Sequence, residues 1–161
     1  MEGNKIRVGI THGDINGVGY EVILKAFSDP LMFDLCTPVI YGSPKVAAYH
    51  CKAMDIQTNF SIVNSPSDIQ DGRLNIINCS EEELKVELTK PTVEAGKAAL
   101  SALERALHDY SEGLFDVLVT APINKHTIQS DVFHFPGHTE YIEERVGEGN
   151  KALMILLKGD F

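Results

Sequence analysis

The chain has 161 residues, 43% of them hydrophobic, and carries a formal net charge of −9, from 14 Lys and Arg against 23 Asp and Glu. This size suits one domain with a proper core, and the composition excludes wholesale disorder. The acidic balance argues against a nucleic-acid or anionic-membrane surface, since both need clustered cations, and points instead to small-molecule chemistry.

The start, M-E-G-N-K-I-R, is polar and no apolar run is long enough to span a bilayer, so a cytoplasmic protein is expected. Ile6, Val8 and Ile10 form a strand pattern that ends in a turn holding Gly13, Gly17 and Gly19. A helical pattern, Val22, Ile23, Ala26 and Phe27, begins directly after Glu21. Glycine permits positive φ and close approach to the main chain, while a helix start offers unpaired N–H groups to an anion. Asp14 is the turn's only carboxylate before Glu21. The spacing G-D-x-x-G-x-G is not the dinucleotide fingerprint, so a ligand cradle and a plain tight turn both remain open.

The helix from Glu21 to Ser28 should stop at Asp29-Pro30. Pro38 to Tyr41 reads as a brief buried strand. Ser43 as N-cap and Pro44 at the first helical position open a helix through about Met54. Val46, Ala47, His50, Cys51 and Met54 share its face, with His50 a satisfied half-buried side chain. Phe60 to Val63 and Arg73 to Cys79 are further strands, and Glu81 to Glu83 form a solvated segment. Cys36, Cys51 and Cys79 are odd in number and widely spaced, which fits reduced core thiols.

Thr92 to Glu112 carries the clearest helix, with Val93, Ala99, Leu103, Ala106, Leu107 and Tyr110 on its apolar face, His108 on the surface and Gly113 as C-cap. Phe115 to Thr120 is a near-continuous apolar run, expected to be a central parallel strand covered on both faces. Strands alternating with helices imply an α/β layered domain, in which ligands collect outside the carboxyl ends of the strands. Two loops lie there: His12 to Gly19, and Thr120 to Lys125.

The second loop, T-A-P-I-N-K, presents Lys125 as a point charge for a phosphate or carboxylate, or as a plain solvated lysine. In F-H-F-P-G-H-T-E, Pro136-Gly137 forces a turn and His138-Thr139 then begins a helix. A histidine at that dipole end tends to stay neutral, which ranks His138 above the other five histidines. His126 and His134 flank the region without a convincing metal-ligand spacing.

With G-D-I-N-G-V-G-Y-E, V-T-A-P-I-N-K and F-P-G-H-T-E in this order, the chain resembles the 4-hydroxythreonine-4-phosphate dehydrogenase family of vitamin B6 (pyridoxal phosphate) biosynthesis. Its first motif also resembles the G-D-G-I-G-P-E turn of isocitrate and isopropylmalate dehydrogenases, whose layered fold that family shares. The resemblance implies NAD-dependent oxidation, with decarboxylation, of 4-phosphohydroxy-L-threonine. It also implies a divalent metal (Zn, Mg or Co), a homodimer, and substrate binding by His138 and Thr139. Asp14 and Lys125 are catalytic candidates, while no cofactor-binding residue is assigned. A paralogue acting on another phosphorylated hydroxy acid, such as 4-phosphothreonate, is the alternative.

Family enzymes are much longer, and their metal-binding histidines fall after the point where this chain stops. The chain is therefore expected to be the amino-terminal portion of a two-domain enzyme, inactive alone or a non-catalytic fragment, with residues 1–130 in the first domain and 131–161 starting the second. Ala152 to Phe161 should form an apolar strand and a turn. Where the family turn usually reads G-D-P-A-G-I-G-P-E, this chain has Ile15, Asn16 and Tyr20, which should leave the loop less rigid.

Overall fold

A computed structural model describes residues 5–157. Five parallel strands form one sheet in the order β3-β4-β2-β1-β5: β1 Ile6–Thr11, β2 Cys36–Gly42, β3 Phe60–Val63, β4 Leu74–Asn78 and β5 Val117–Thr120. Parallel pairing requires crossovers, which are supplied by α1 (Gly19–Ala26), the one-turn α2 (Met32–Leu35), α3 (Pro44–Ala53) and α4 (Val93–Ser111). After β5 the chain forms α5, His138–Val146, which packs on α4.

Alternation along the strands divides the core. Ile10, Ile40, Leu74 and Ile76 face α1 and α3, where they meet Ile23, Leu24, Val46 and Ala47. Val39, Tyr41 and Ile77 face the other way, onto Ala102 and Ala106 of α4 and onto Phe115. A one-residue period change would exchange the two sets, so the register of Ile10 with Ile40 and of Ile40 with Ile76 is set by burial on both faces.

The sequence-predicted caps are present. Ser43 accepts a hydrogen bond from Val46 N at 3.4 Å, and Thr92 accepts one from Ala95 N at 3.2 Å. At the far end of α4, Gly113 takes a φ of 70° and returns its N–H to Tyr110 O, so glycine is used there for its left-handed conformation. His50 is buried and satisfied by Ile15 O at 3.0 Å, and the three cysteines are free and partly buried. Burial raises all three thiols, Cys79 to about 12, which makes them poor nucleophiles.

Four expectations need correction. Phe115 to Thr120 is not a covered central strand: β5 is an edge of the described sheet, with Val117 and Val119 each 46% exposed. β2 and β4 hold the doubly covered positions. Helix α1 runs Gly19–Ala26 rather than from Glu21 to Ser28, because Gly19 and Tyr20 are already buried against the sheet end. Val93 and Tyr110 lie outside the α4 core, whose face is instead centred on a run of small residues that lets the helix lie close to β1 and β2. Residues 152–157 carry no strand and are exposed, while the turn expected at 158–161 lies outside the described residues. No helix among the described residues is long and apolar enough to cross a membrane.

One charge is buried beneath this framework. Asp109, 2% exposed, accepts from Tyr41 Oη at 3.0 Å and from Arg105 Nε at 3.0 Å, linking α4 to β2. Asp109→Ala would strand the Tyr41 hydroxyl in the core and should cost about 2 kcal/mol in urea unfolding. Tyr41→Phe in the same background should cost little more, since the partner is already gone.

Candidate functional site

The chain adds β2 on one side of β1 and β5 on the other, so β1 and β5 flank the point where the strand order reverses. The loops leaving these two strands do not open into a crevice. Their ladder continues beyond the strands: Ala121 N donates to Thr11 O at 3.1 Å and Asp14 N to Pro122 O at 2.9 Å. Gly13, at a φ of 70°, makes this possible, because a Cβ there would overlap the Pro122 carbonyl oxygen.

The glycine turn is consequently filled by its own chain. Asn16 N donates to Asp14 Oδ1 at 2.9 Å, Gly17 N donates to Asp14 O at 3.0 Å, and Gly19 abuts the His12 carbonyl. Three N–H groups that could have cradled an anion, those of Asp14, Asn16 and Gly17, are thus engaged, and the half-buried Asp14 directs one carboxylate oxygen into the turn.

The loop is also not loosened by its missing prolines. Ile15 is fully buried, Tyr20 Oη donates to Ser43 O and accepts from Ser43 N at 2.8 Å, and Asn16 forms a clasp with residues 87–92. Asn16 Nδ2 donates to Lys90 O at 2.9 Å and to Thr92 Oγ1 at 3.1 Å, its Oδ1 accepts from Glu87 N at 2.8 Å, and its carbonyl accepts from Thr89 N at 2.9 Å. Tertiary hydrogen bonds thus replace ring stiffness.

An open groove of about 390 Å³ lies further along, where T-A-P-I-N-K meets the start of α5. Thr120, Ile123 and Lys125 form one wall; His138, Thr139 and Glu140 form the other. Gly137, in extended backbone, sits between the Lys125 ammonium and the Glu140 carboxylate. Asn124 shapes the loop by accepting from His126 N at 3.0 Å and Thr127 N at 3.2 Å. His138 is half-buried at the first position of α5, and its Nε2 is shielded from solvent without a hydrogen-bond partner.

Burial lowers the pKa of His138 below the ordinary histidine value, and the Lys125 charge adds to the shift. The ring is therefore neutral at pH 7, for reasons that act beside the helix dipole. Lys125, Thr139 and Glu140 are exposed. The structure thus brings Lys125, His138 and Thr139 together and leaves Asp14 in the neighbouring turn. A larger groove, about 680 Å³, separates residues 79–87 from α4, but it mixes Lys85 and Lys97 with several glutamates and holds none of the predicted site residues.

His12 was not singled out by the sequence reading. It is 1% exposed, stacks on Tyr20 at 5.3 Å between ring centroids, and has an Nδ1 without a partner. Tyr20 in turn stacks on His50 at 5.3 Å. The available signal was period two: His12 continues the series Val8 and Ile10 onto the face covered by α1 and α3.

Burial lowers the His12 pKa to about 4 against the raising effect of the Ala98 and Gly13 backbone, with the smallest contribution, a lowering one, from the nearby His50. Between 6.5 and about 4 the unfolded chain binds a proton at residue 12 that the folded chain refuses. This contribution to stability is complete above pH 6.5 and is lost as the pH falls towards 4. Between pH 7.5 and 5, wild type should therefore lose about 2 kcal/mol more than His12→Phe in urea unfolding.

Comparison with known proteins bears on the family and the fold. Residues 34–161 match the family model described as pyridoxal phosphate biosynthetic protein PdxA. A 4-hydroxythreonine-4-phosphate dehydrogenase from Bacteroides thetaiotaomicron is 72% identical over all 161 residues, which cover 44% of that protein. One from Sulfurihydrogenibium sp. is 32% identical, with 95% of this chain and 47% of that protein aligned. A crystal structure of a 4-hydroxythreonine-4-phosphate dehydrogenase from Burkholderia phymatum superposes with a TM-score of 0.82 at 25% identity, covering 90% of this chain and 44% of that one. The chain spans slightly less than half the length of these relatives. From its five-stranded parallel sheet to the His138-Thr139 helix start, and over most of its sequence, this chain belongs to the PdxA family of pyridoxal phosphate biosynthetic proteins.

Proposed function

We propose that this chain supplies the substrate-binding wall of an NAD-dependent, divalent-metal-dependent dehydrogenase. Its substrate is 4-phosphohydroxy-L-threonine, oxidised and decarboxylated in pyridoxal phosphate biosynthesis. The observation that carries this reading is the buried, unpartnered Nε2 of His138 beside Lys125 and Thr139, in a groove at the start of α5. Support comes from the 72% identical relative, named a 4-hydroxythreonine-4-phosphate dehydrogenase.

Oxidation of a secondary alcohol sends a hydride to the nicotinamide and a proton to a base, after which the β-keto acid loses carbon dioxide. This chain's part is binding and orientation. Neutral His138 can donate to a phosphate or carboxylate oxygen, or accept from a hydroxyl, depending on its tautomer. Thr139 offers a hydroxyl in the first turn of α5, whose N-terminal dipole favours an anion. Lys125 offers a point charge, and Glu140 discourages an anion from sitting on its side of Gly137.

A divalent metal, when bound, would supply Lewis-acid polarisation of an alcohol or carbonyl oxygen. The described residues do not fit that ion: no group of three or more His, Cys, Asp or Glu side chains is assembled to hold one, and Lys125 places a cation beside His138. No step is therefore routed through a metal on this chain, nor through a nucleotide at the glycine turn, where the Asp14, Asn16 and Gly17 amides are already engaged. By this reading residues 131–161 start a second domain, the complete enzyme is a homodimer, and this chain alone has no turnover.

A second reading, oxidation of D-threonate 4-phosphate, is favoured by a 28% identical relative from Oceanobacillus iheyensis provisionally named for it, of which 46% is covered. Both substrates carry the phosphate and hydroxyl that the groove suits, so a substrate panel on the gene's full-length product decides. NADH should form with 4-phosphohydroxy-L-threonine, NAD and a divalent metal, and absence of turnover would reject this substrate. In that protein, His138→Gln should raise KM about tenfold, the equivalent of one lost hydrogen bond to a charged group. Asp14→Ala separates a catalytic carboxylate from a turn cap: a cap alone changes stability and leaves kcat unchanged.

A further inference from the structure

Asn16 is followed by Gly17, the chain's one Asn-Gly pair. In such a pair no side chain hinders the second residue's amide nitrogen from reaching the asparagine carboxamide. We propose that Asn16-Gly17 is a conditional deamidation site, held closed by the clasp between the glycine turn and residues 87–92 and opened when that segment detaches.

In the open chain, Gly17 N gives up its proton and attacks Asn16 Cγ. The new C–N bond closes a succinimide, the Cγ–Nδ2 bond breaks, and Nδ2 leaves as ammonia. Water then adds to either ring carbonyl and yields aspartate or isoaspartate. The Gly17 proton leaves with Nδ2 as part of the ammonia, one water is consumed in the second stage, and no oxidation state changes.

The folded turn opposes each stage. Gly17 N is engaged with Asp14 O at 3.0 Å. The Asn16 carboxamide is held at both ends, by Glu87 N on its oxygen and by Lys90 O and Thr92 Oγ1 on its nitrogen. At 3% exposure Asn16 also excludes the water of the second stage. Residues 88–91, by contrast, are exposed and belong to no helix or strand, which places their opening at the low-stability end of the fold.

The product would make the opening permanent. A carboxylate at position 16 has no N–H for the Lys90 carbonyl, so two acceptors would face each other across a buried contact that also carries a new charge. Isoaspartate adds a backbone methylene and displaces the turn as well. The residue that locks the turn is thus also the one whose chemistry can unlock it for good.

The test incubates the full chain at neutral pH in three forms: folded, unfolded in urea, and as folded Thr92→Val, which removes one acceptor of the clasp. Peptide mass mapping and isoaspartyl methylation report position 16, and hydrogen exchange reports the Glu87 and Thr89 amides. Deamidation in the folded chain should be about tenfold slower than in urea or slower still, since it proceeds only through the open fraction, and Thr92→Val should fall between. Equal rates in the folded and unfolded chains would overturn the proposal. Asn16→Asp, made directly, should lose exchange protection at Glu87 and Thr89; full protection in that variant would overturn it independently of how Thr92→Val folds.

Discussion

The carboxyl end of this sheet depends on one close approach of backbone to backbone, at Gly13 against Pro122. Two parallel strands normally part where their ladder ends, and the gap becomes the ligand crevice. Here the ladder runs on through Ala121 N to Thr11 O and Asp14 N to Pro122 O, so the gap is closed by main chain. The T-A-P-I-N-K loop is thereby held at a fixed height above the sheet, and the open groove forms one step further on, between that loop and the start of α5. Any side chain at residue 13 would push the two loops apart and alter the position of Lys125 relative to His138.

Around that contact the protein buries polar groups in two ways. Asn16, Tyr20, His50 and Asp109 are buried with their polar ends paired, and each joins elements far apart in the chain. Such groups help select one arrangement of loops, because a displaced partner leaves an unpaired polar atom in the core. His12 Nδ1 and His138 Nε2 are buried without partners. The first lies inside the core, where it adds acid sensitivity. The second borders a groove, where on the proposed reading an incoming ligand would supply the missing partner. The same local deficit therefore has different consequences according to what lies next to it.

The motifs that resemble the PdxA family take different places in the structure. The glycine turn serves chain-to-chain packing at Gly13 and Gly19, and its departures at Ile15, Asn16 and Tyr20 fit together as one packed unit. The later motifs, around Lys125 and His138, form the exposed groove. The three motifs of one recognition signature thus divide into a scaffold and a surface.

Local chemistry alone determined several features. The helix starts at Ser43-Pro44, Thr92 and His138 were legible because caps, proline and turn residues act within a few positions of themselves. So were the strands Ile6–Thr11 and Phe60–Val63, the alternation of strand with helix, and the joining of His138 to a helix N-terminus. Tertiary structure alone decided the rest. That Val117–Thr120 is an edge of the described sheet follows from strand order, which no local pattern encodes. The closure of the glycine turn depends on a carbonyl over a hundred residues away, and the burial of His12 depends on Tyr20 and His50 arriving from two different helices. Sequence carries the propensities that act between neighbours; the occupancy of a cleft depends on which distant backbone comes to lie in it.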